Sequence, residues 1–172
     1  MGWQQNKGIR SMSNTNMHLK RVRTIADYQF GKGAGCALFP DDVEFQMSST
    51  GRVRQILLEG KRIATVKAHD GMLTLGIEGA MKLHGFLKFP QNRVVVNSDS
   101  APFVVNGKNA FAKHVVCSDP DIRSGEEVMV VDEKDNFLAT GKAVLCALEM
   151  TAFKKGVAVE IRSGIKSRDK DS

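Results

Sequence analysis

Cysteine is scarce in this chain: Cys36, Cys117 and Cys146 are the only three in 172 residues, an odd count with no C-x-x-C pair. That excludes a disulfide framework and the common zinc modules, and it leaves free thiols. Long apolar runs are missing too. No stretch approaches the roughly 18–20 apolar residues of a membrane span. The opening MGWQQNKGIRSMSNTNM has no apolar centre of the signal-peptide kind, so a cytoplasmic protein without membrane contact is expected. Nucleotide-loop motifs are absent as well. GKGAGCALFP places glycines at 31, 33 and 35, whereas a Walker loop needs Gly-x-x-x-x-Gly-Lys-Ser/Thr and a dinucleotide fingerprint needs Gly-x-Gly-x-x-Gly. Both motifs must also open a helix after a strand. Here a helix runs into the glycines, because Leu19, Val22, Ile25, Ala26 and Phe30 recur at helical spacing. Gly31 therefore reads as a helix C-cap and not as a phosphate cradle.

Catalytic signatures are equally thin. His18, His69, His84 and His114 are scattered without metal-ligand spacing. His84, next to Gly85 at a predicted helix end, reads as a charge favoured by the helix dipole. The neighbouring carboxylates Asp41-Asp42, Glu126-Glu127 and Asp132-Glu133 fall in turns and strand ends, where such pairs are solvated. No Ser or Cys sits in a strand-turn-helix elbow. No metal and no cofactor is expected, and the chain reads as non-catalytic.

Positive charge and an adequate core are what the sequence does have. Hydrophobic residues make up 42%, enough for one ordinary domain or two small ones. The 25 basic against 19 acidic residues leave a formal charge of +6, which suits a partner that carries phosphates. Lys20, Arg21 and Arg23 open the first helix, and Arg162, Lys166, Arg168 and Lys170 crowd the end of the chain.

The hydrophobic pattern divides the chain. Residues 1–17 read as a flexible polar leader and 164–172 as a polar tail. Between them, residues 18–88 carry a helix, then VEFQM, RQILL, RIATV and MLTL as an antiparallel meander with turns at Glu59-Gly60 and Asp70-Gly71. A second helix on Ile77, Ala80, Met81 and His84 should end at Gly85. FPQN marks the boundary at residues 89–92. From there to residue 163, RVVV, FAKHVV, EEVMVVD, FLATGKAVL and VAVEIR read as strands, with DSAPFVVNG and LEMTAFKKG as short helices and KDN as a hairpin turn. Short, closely spaced strands with small helices predict an α+β chain: a small helix/antiparallel-sheet domain, then a β pseudo-barrel.

The stretches RVVVNSDSAPFVVNGKNAFAKHVV, DPDIRSGEEVMVVDEKDNFLATGKAVL and MTAFKKGVAVEIR resemble a PUA domain, and they cover residues 93–162 almost without a gap. HLKRVRTIADYQFGKGAGCALFP with STGRVRQILLEGKRIATVKAHDGMLTLGIEGAMKLH resembles the small domain that precedes the PUA domain in archaeal tRNA-guanine transglycosylase. That family exchanges a guanine in the D-arm of tRNA on the way to archaeosine, and its PUA domain grips the acceptor end. Its chemistry belongs to a TIM barrel of roughly 250 residues with a carboxylate nucleophile and a cysteine-rich zinc site, so no catalytic residue carries over. The resemblance implies an RNA-binding accessory protein, acting on tRNA beside a separate catalytic chain or alone. Whether it also pairs with itself is left open.

The resemblance points to the glycine-ended helix and the strand after it as the RNA surface: Gly107, Lys108, Phe111, Ala112, Lys113 and His114. Phe111 fits a core position equally well, and Gly107 fits a plain helix cap. Arg93, Arg123, Lys154, Lys155 and Arg162, at strand ends and turns, complete the candidate set for phosphate contacts. The rival reading is a protein-docking subunit, with Leu57 and Ile63 of the first sheet as its exposed face.

Overall fold

The computed structural model describes residues 5–167. Of the expected leader and tail, residues 1–4 and 168–172 lie outside it. By compactness the chain divides into residues 1–73 and 74–172.

In the first unit, α1 (Gln5–Phe30) begins earlier than the expected start near His18. Met12 to Met17 are solvent-exposed, while Leu19, Val22 and Ala26 are buried. Residues 12–17 are thus helical without a buried face, which hydrophobic spacing cannot reveal. At its other end Gly31 has φ +113°, and its N–H donates to the Asp27 carbonyl at 3.0 Å, as a C-cap requires. The glycine stretch then turns into α2 (Ala34–Leu38). An ideal Cβ on Gly35 would lie 2.3 Å from the Arg23 carbonyl oxygen. Its amide donates to the Asp27 carboxylate at 2.7 Å. Gly35 therefore serves the close approach of α2 to α1, and its amide, which a phosphate would want, is already taken.

The meander follows as predicted, with β1 (Glu44–Met47), β2 (Val53–Leu58), β3 (Lys61–Val66) and β4 (Leu73–Leu75) in sheet order β1-β2-β3-β4. Glu59 and Gly60 both have positive φ, 50° and 75°, the backbone of a tight two-residue hairpin. The Gln29 amide closes α1 onto the sheet by donating to the Leu73 carbonyl at 2.8 Å and accepting from its N–H at 2.9 Å. Ile63 is 1% exposed and Leu57 half-buried. Of the docking face expected on these two residues, Ile63 is core and Leu57 only partly open, because the alternation that marks a strand does not say which side will be covered.

The second unit starts with α3 (Ile77–Phe86), which runs through Gly85 and leaves Met81 on the surface. The chain continues through β5 (Arg93–Val96), α4 (Ala101–Val104) and β6 (Ala110–Phe111), then a 3-10 turn (Ala112–His114) into β7 (Val115–Ser118). After these come β8 (Glu127–Val131), β9 (Phe137–Ala143), α5 (Ala147–Ala152) and β10 (Val157–Gly164). FAKHVV, expected as one strand, is broken by that turn: Ala112 is buried, and its N–H leaves the strand to meet the Gly156 carbonyl at 2.9 Å.

The six strands lie in the order β6-β10-β9-β8-β5-β7, so the consecutive strands β6 and β7 occupy opposite edges. Laid flat, those edges would be about 24 Å apart. The link between Phe111 and Val115 reaches about 14 Å at most. The sheet has to curl, and the result is a nearly closed barrel around Val94, Val96, Val128, Val130, Ala139, Ala158 and Val159. Gly141 permits the tight curl, since a Cβ there would stand 2.2 Å from the Glu160 carbonyl oxygen on β10.

The expected tail is partly built in. β10 runs to Gly164, Lys166 donates its N–H to the Val105 carbonyl at 2.9 Å, and the Ser167 hydroxyl donates to the Gly164 carbonyl at 2.8 Å.

Candidate functional site

Gly107, Lys108, Phe111, Ala112 and Lys113 of the predicted surface lie on one ribbon. Residues 107–113 run antiparallel along β10: Ala110 pairs with Val159, Phe111 pairs with Val157, and the Asn109 amide oxygen accepts from the Ile161 N–H at 3.0 Å. At one end of the ribbon Gly107, with φ +88°, ends the α4 turn against Gly164 and Ser167. At the other end the Ala112 to Gly156 hydrogen bond brings in the turn that carries Lys154 and Lys155. Lys108, Lys113, Lys154 and Lys155 are exposed, and no carboxylate pairs with them among the described residues. Phe111 is 43% exposed, so of its two readings the outward one holds. Ala112 points its methyl into the core, leaving only its backbone on the ribbon, and His114 is half-buried.

Arg123 is exposed in the loop before β8, which meets α5 through the Ala147 N–H to Ile122 carbonyl bond at 3.0 Å. It stands at the opposite end of α5 from Lys154 and Lys155.

Of two further predicted cations, Arg93 is buried and Arg162, though exposed, is engaged in an ion pair. Arg93 is 2% exposed. Its Nε donates to Asp135 Oδ1 at 2.7 Å, Nη1 to the Gln91 carbonyl at 2.9 Å, and Nη2 to the His84 and Leu87 carbonyls at 2.9 and 3.0 Å. This guanidinium holds the end of α3 to the β8–β9 hairpin. His84, in the last turn of α3, joins the same cluster, with Nε2 2.9 Å from the Asp135 carbonyl oxygen and 3.2 Å from its carboxylate, so it makes a polar contact to the hairpin. Arg162 is ion-paired with Glu127, which lies across the sheet on β8.

Glu127 was expected to be solvated and is 6% exposed. Burial pushes its carboxyl above the usual glutamate range, an effect stronger than the opposing pull of Arg162 and of the Leu75 and Thr140 donors. Asp132 is indeed a turn carboxylate, accepting from the Lys134 and Asn136 amides at 2.9 Å each, and these bonds hold its pKa down. No cluster of three His, Cys, Asp or Glu suited to a metal occurs among the described residues, and no described helix is long and apolar enough to cross a membrane.

Sequence reasoning missed the aromatic side of this surface. Phe103 is 63% exposed on α4, its carbonyl accepting the Lys108 N–H at 3.1 Å, and Phe153 is 48% exposed just before Lys154. A four-residue helix such as α4 is too short for its spacing to tell an inward from an outward phenylalanine.

Known proteins share this architecture. Residues 92–165 match the PUA domain family, and residues 20–90 match the patch-forming domain C2 of tRNA-guanine transglycosylase. A PUA domain protein of Thermoplasma acidophilum superposes with a TM-score of 0.59 at 24% identity, over 85% of this chain and 89% of that one. A hypothetical protein of Pyrococcus horikoshii reaches 0.70 at 21% identity, over 90% and 94%. In chain order, the small helix–meander domain carries the match to C2 and the curled six-stranded barrel carries the match to the PUA domain family. The chain's particular pairing of C2 with PUA is similar to that of tRNA-guanine(15) transglycosylase: it is 50% identical over 147 residues to the Pyrococcus abyssi and Pyrococcus furiosus proteins, covering 86% of this chain. The chain spans about a quarter of the length of these curated relatives.

Proposed function

We propose that this chain is an RNA-binding accessory protein that holds tRNA by its acceptor end for a modification enzyme on a separate chain, such as the catalytic part of a split transglycosylase. The supporting observation is the ribbon of residues 107–113 with its neighbouring turn, where Lys108, Lys113, Lys154 and Lys155 stand exposed without carboxylate partners beside the exposed Phe111. Free cations on a rigid edge neutralise phosphates, and an exposed ring offers a face to an unpaired base. The proposed contact set is Gly107, Lys108, Phe111, Lys113, His114, Lys154 and Lys155, with the backbone of Ala112 and, beyond α5, Arg123. Binding here supplies position and no chemistry: fixing the acceptor end brings a distant base to the partner's active site.

A salt-resolved titration of whole tRNA against the same tRNA with its 3′ end trimmed tests this. Trimming should weaken binding about tenfold, near 1.4 kcal/mol. The log–log salt slope should lie near −3.5 to −4.5 for about five phosphate contacts. Equal affinity for both RNAs would remove the acceptor-end reading. Absence of binding to either at modest salt would favour protein docking instead, a role supported by Leu148 on α5, 81% exposed, and its neighbour Phe153.

A further inference from the structure

The proposed function uses only the second unit and leaves the first without a task. In that unit a groove of about 700 Å³ opens between α1 and the turn end of the meander. Arg21 reaches it from α1, Arg52 and Arg54 from the start of β2, and Lys67 and His69 from the turn after β3. Arg52, Val53 and Arg54 all line the groove, where the register of β2 against β1 shifts and the regular alternation of the strand is interrupted. Lys67 and His69 share Asp70, at 2.9 and 3.2 Å. Arg21, Arg52 and Arg54 have no carboxylate partner among the described residues. Three free guanidiniums in a concave wall focus positive potential where a chain of anions could lie.

The rest of the lining narrows the ligand. It consists of aliphatic and hydroxyl side chains such as Val22, Ile25 and Thr50, and His69 is its only ring. A groove without stacking platforms is poorly made for splayed, unpaired bases, which bind through aromatic faces. Charge without rings suits a helix whose bases are already stacked on each other and whose phosphates face outward. We infer that this groove binds the sugar–phosphate backbone of a base-paired RNA stem, a second RNA contact separate in chemistry from the lysine ribbon. The inference rests on the RNA-binding reading of the chain.

The test uses the full chain and a blunt RNA hairpin with no single-stranded end. Arg52→Glu with Arg54→Glu should weaken hairpin binding by about tenfold or more and lower the salt slope by about 2. Lys108→Glu with Lys113→Glu should leave most of the hairpin affinity in place. Arg52→Gln with Arg54→Gln gives the same comparison if charge reversal disturbs folding, and Arg52→Lys with Arg54→Lys should restore binding, which a folding defect would not allow. If wild type binds the hairpin and the arginine variants bind it equally well, the groove inference fails and the RNA-binding reading stands. If wild type binds neither hairpin nor tRNA, both fail together.

Discussion

The two units divide their arginines differently. In the barrel unit Arg93 and Arg162 are tied to Asp135 and Glu127, and Arg123 is left to the solvent along with the lysines beside the exposed phenylalanines. In the helix–meander unit Arg23 is tied to Asp41 and the Phe39 carbonyl, whereas Arg52 and Arg54 have no carboxylate partner among the described residues and line a groove without Phe, Tyr or Trp. Arginine forms fixed, multidentate contacts, and lysine acts as a mobile point charge. The barrel unit uses two guanidiniums for its own structure and relies mainly on lysine and phenylalanine for the proposed binding, whereas the first unit uses Arg23 for itself and has Arg52 and Arg54 left over for a ligand. Net charge does not distinguish these cases, because only the partner of each cation tells structure from function.

The sharpest way to break this contrast is Arg93→Ala. Removing the side chain leaves the carbonyls of His84, Leu87 and Gln91 without their donor and Asp135 with His84 alone. The expected loss is about 4 kcal/mol in urea-induced unfolding of the second unit. A loss under about 1 kcal/mol, the size of a surface pair, would return Arg93 to the candidate RNA contacts.

Next comes the double reversal Lys108→Glu with Lys113→Glu. Affinity for whole tRNA should fall about a hundredfold, near 2.7 kcal/mol, while the unfolding midpoint stays where it was, since both side chains are exposed and unpaired. Unchanged affinity would remove this ribbon from the binding surface. Phe111→Ala is a finer probe. It should cost about 1–2 kcal/mol against tRNA carrying its single-stranded 3′ end and nothing against a blunt hairpin, because stacking needs an unpaired base. Equal losses on both RNAs would mean that the ring serves the fold.

Much of this architecture was legible from local chemistry. The turns at Glu59-Gly60 and Asp135 demand positive φ and have it, and strong alternation between them fixes the meander and the β8–β9 hairpin. What stayed hidden depends on distant neighbours. Arg93 sits in RVVV, and nothing in those four letters says that Asp135 and three carbonyls wait for it. Spacing excluded Gly35 from a phosphate loop but could not show that its missing side chain lets the Arg23 backbone pass. Ala112 breaks FAKHVV because its backbone must reach Gly156, a requirement set by barrel closure and not by strand propensity. The lysines were read as surface residues because their chemistry permits little else, whereas the exposed positions of Phe103 and Phe153 needed the fold to be seen.

The smallest expected effect sharpens the comparison most, because it asks whether a paired arginine contributes through its charge. Glu127 accepts from the Leu75 N–H at 3.3 Å, from the Thr140 hydroxyl at 3.1 Å and from Arg162. Glu127→Gln keeps an oxygen for the neutral donors and lets Arg162, one third exposed, turn to water. Stability near neutral pH should then change by less than about 1 kcal/mol, since burying the carboxylate costs roughly what the pair returns. The pH dependence carries the sign. The folded carboxyl holds its proton to higher pH than the unfolded one, whose pKa is about 4.3, so between the two values the native state binds more protons. Its contribution is complete below the unfolded pKa and is lost as pH rises through the raised folded value. The glutamine variant has no such loss, so its stability relative to wild type should climb with pH across that window and level off above it. Parallel curves for the two proteins in urea melts from about pH 4 to 7 would mean that Glu127 titrates alike in the folded and unfolded states, the pull of Arg162 cancelling the effect of burial.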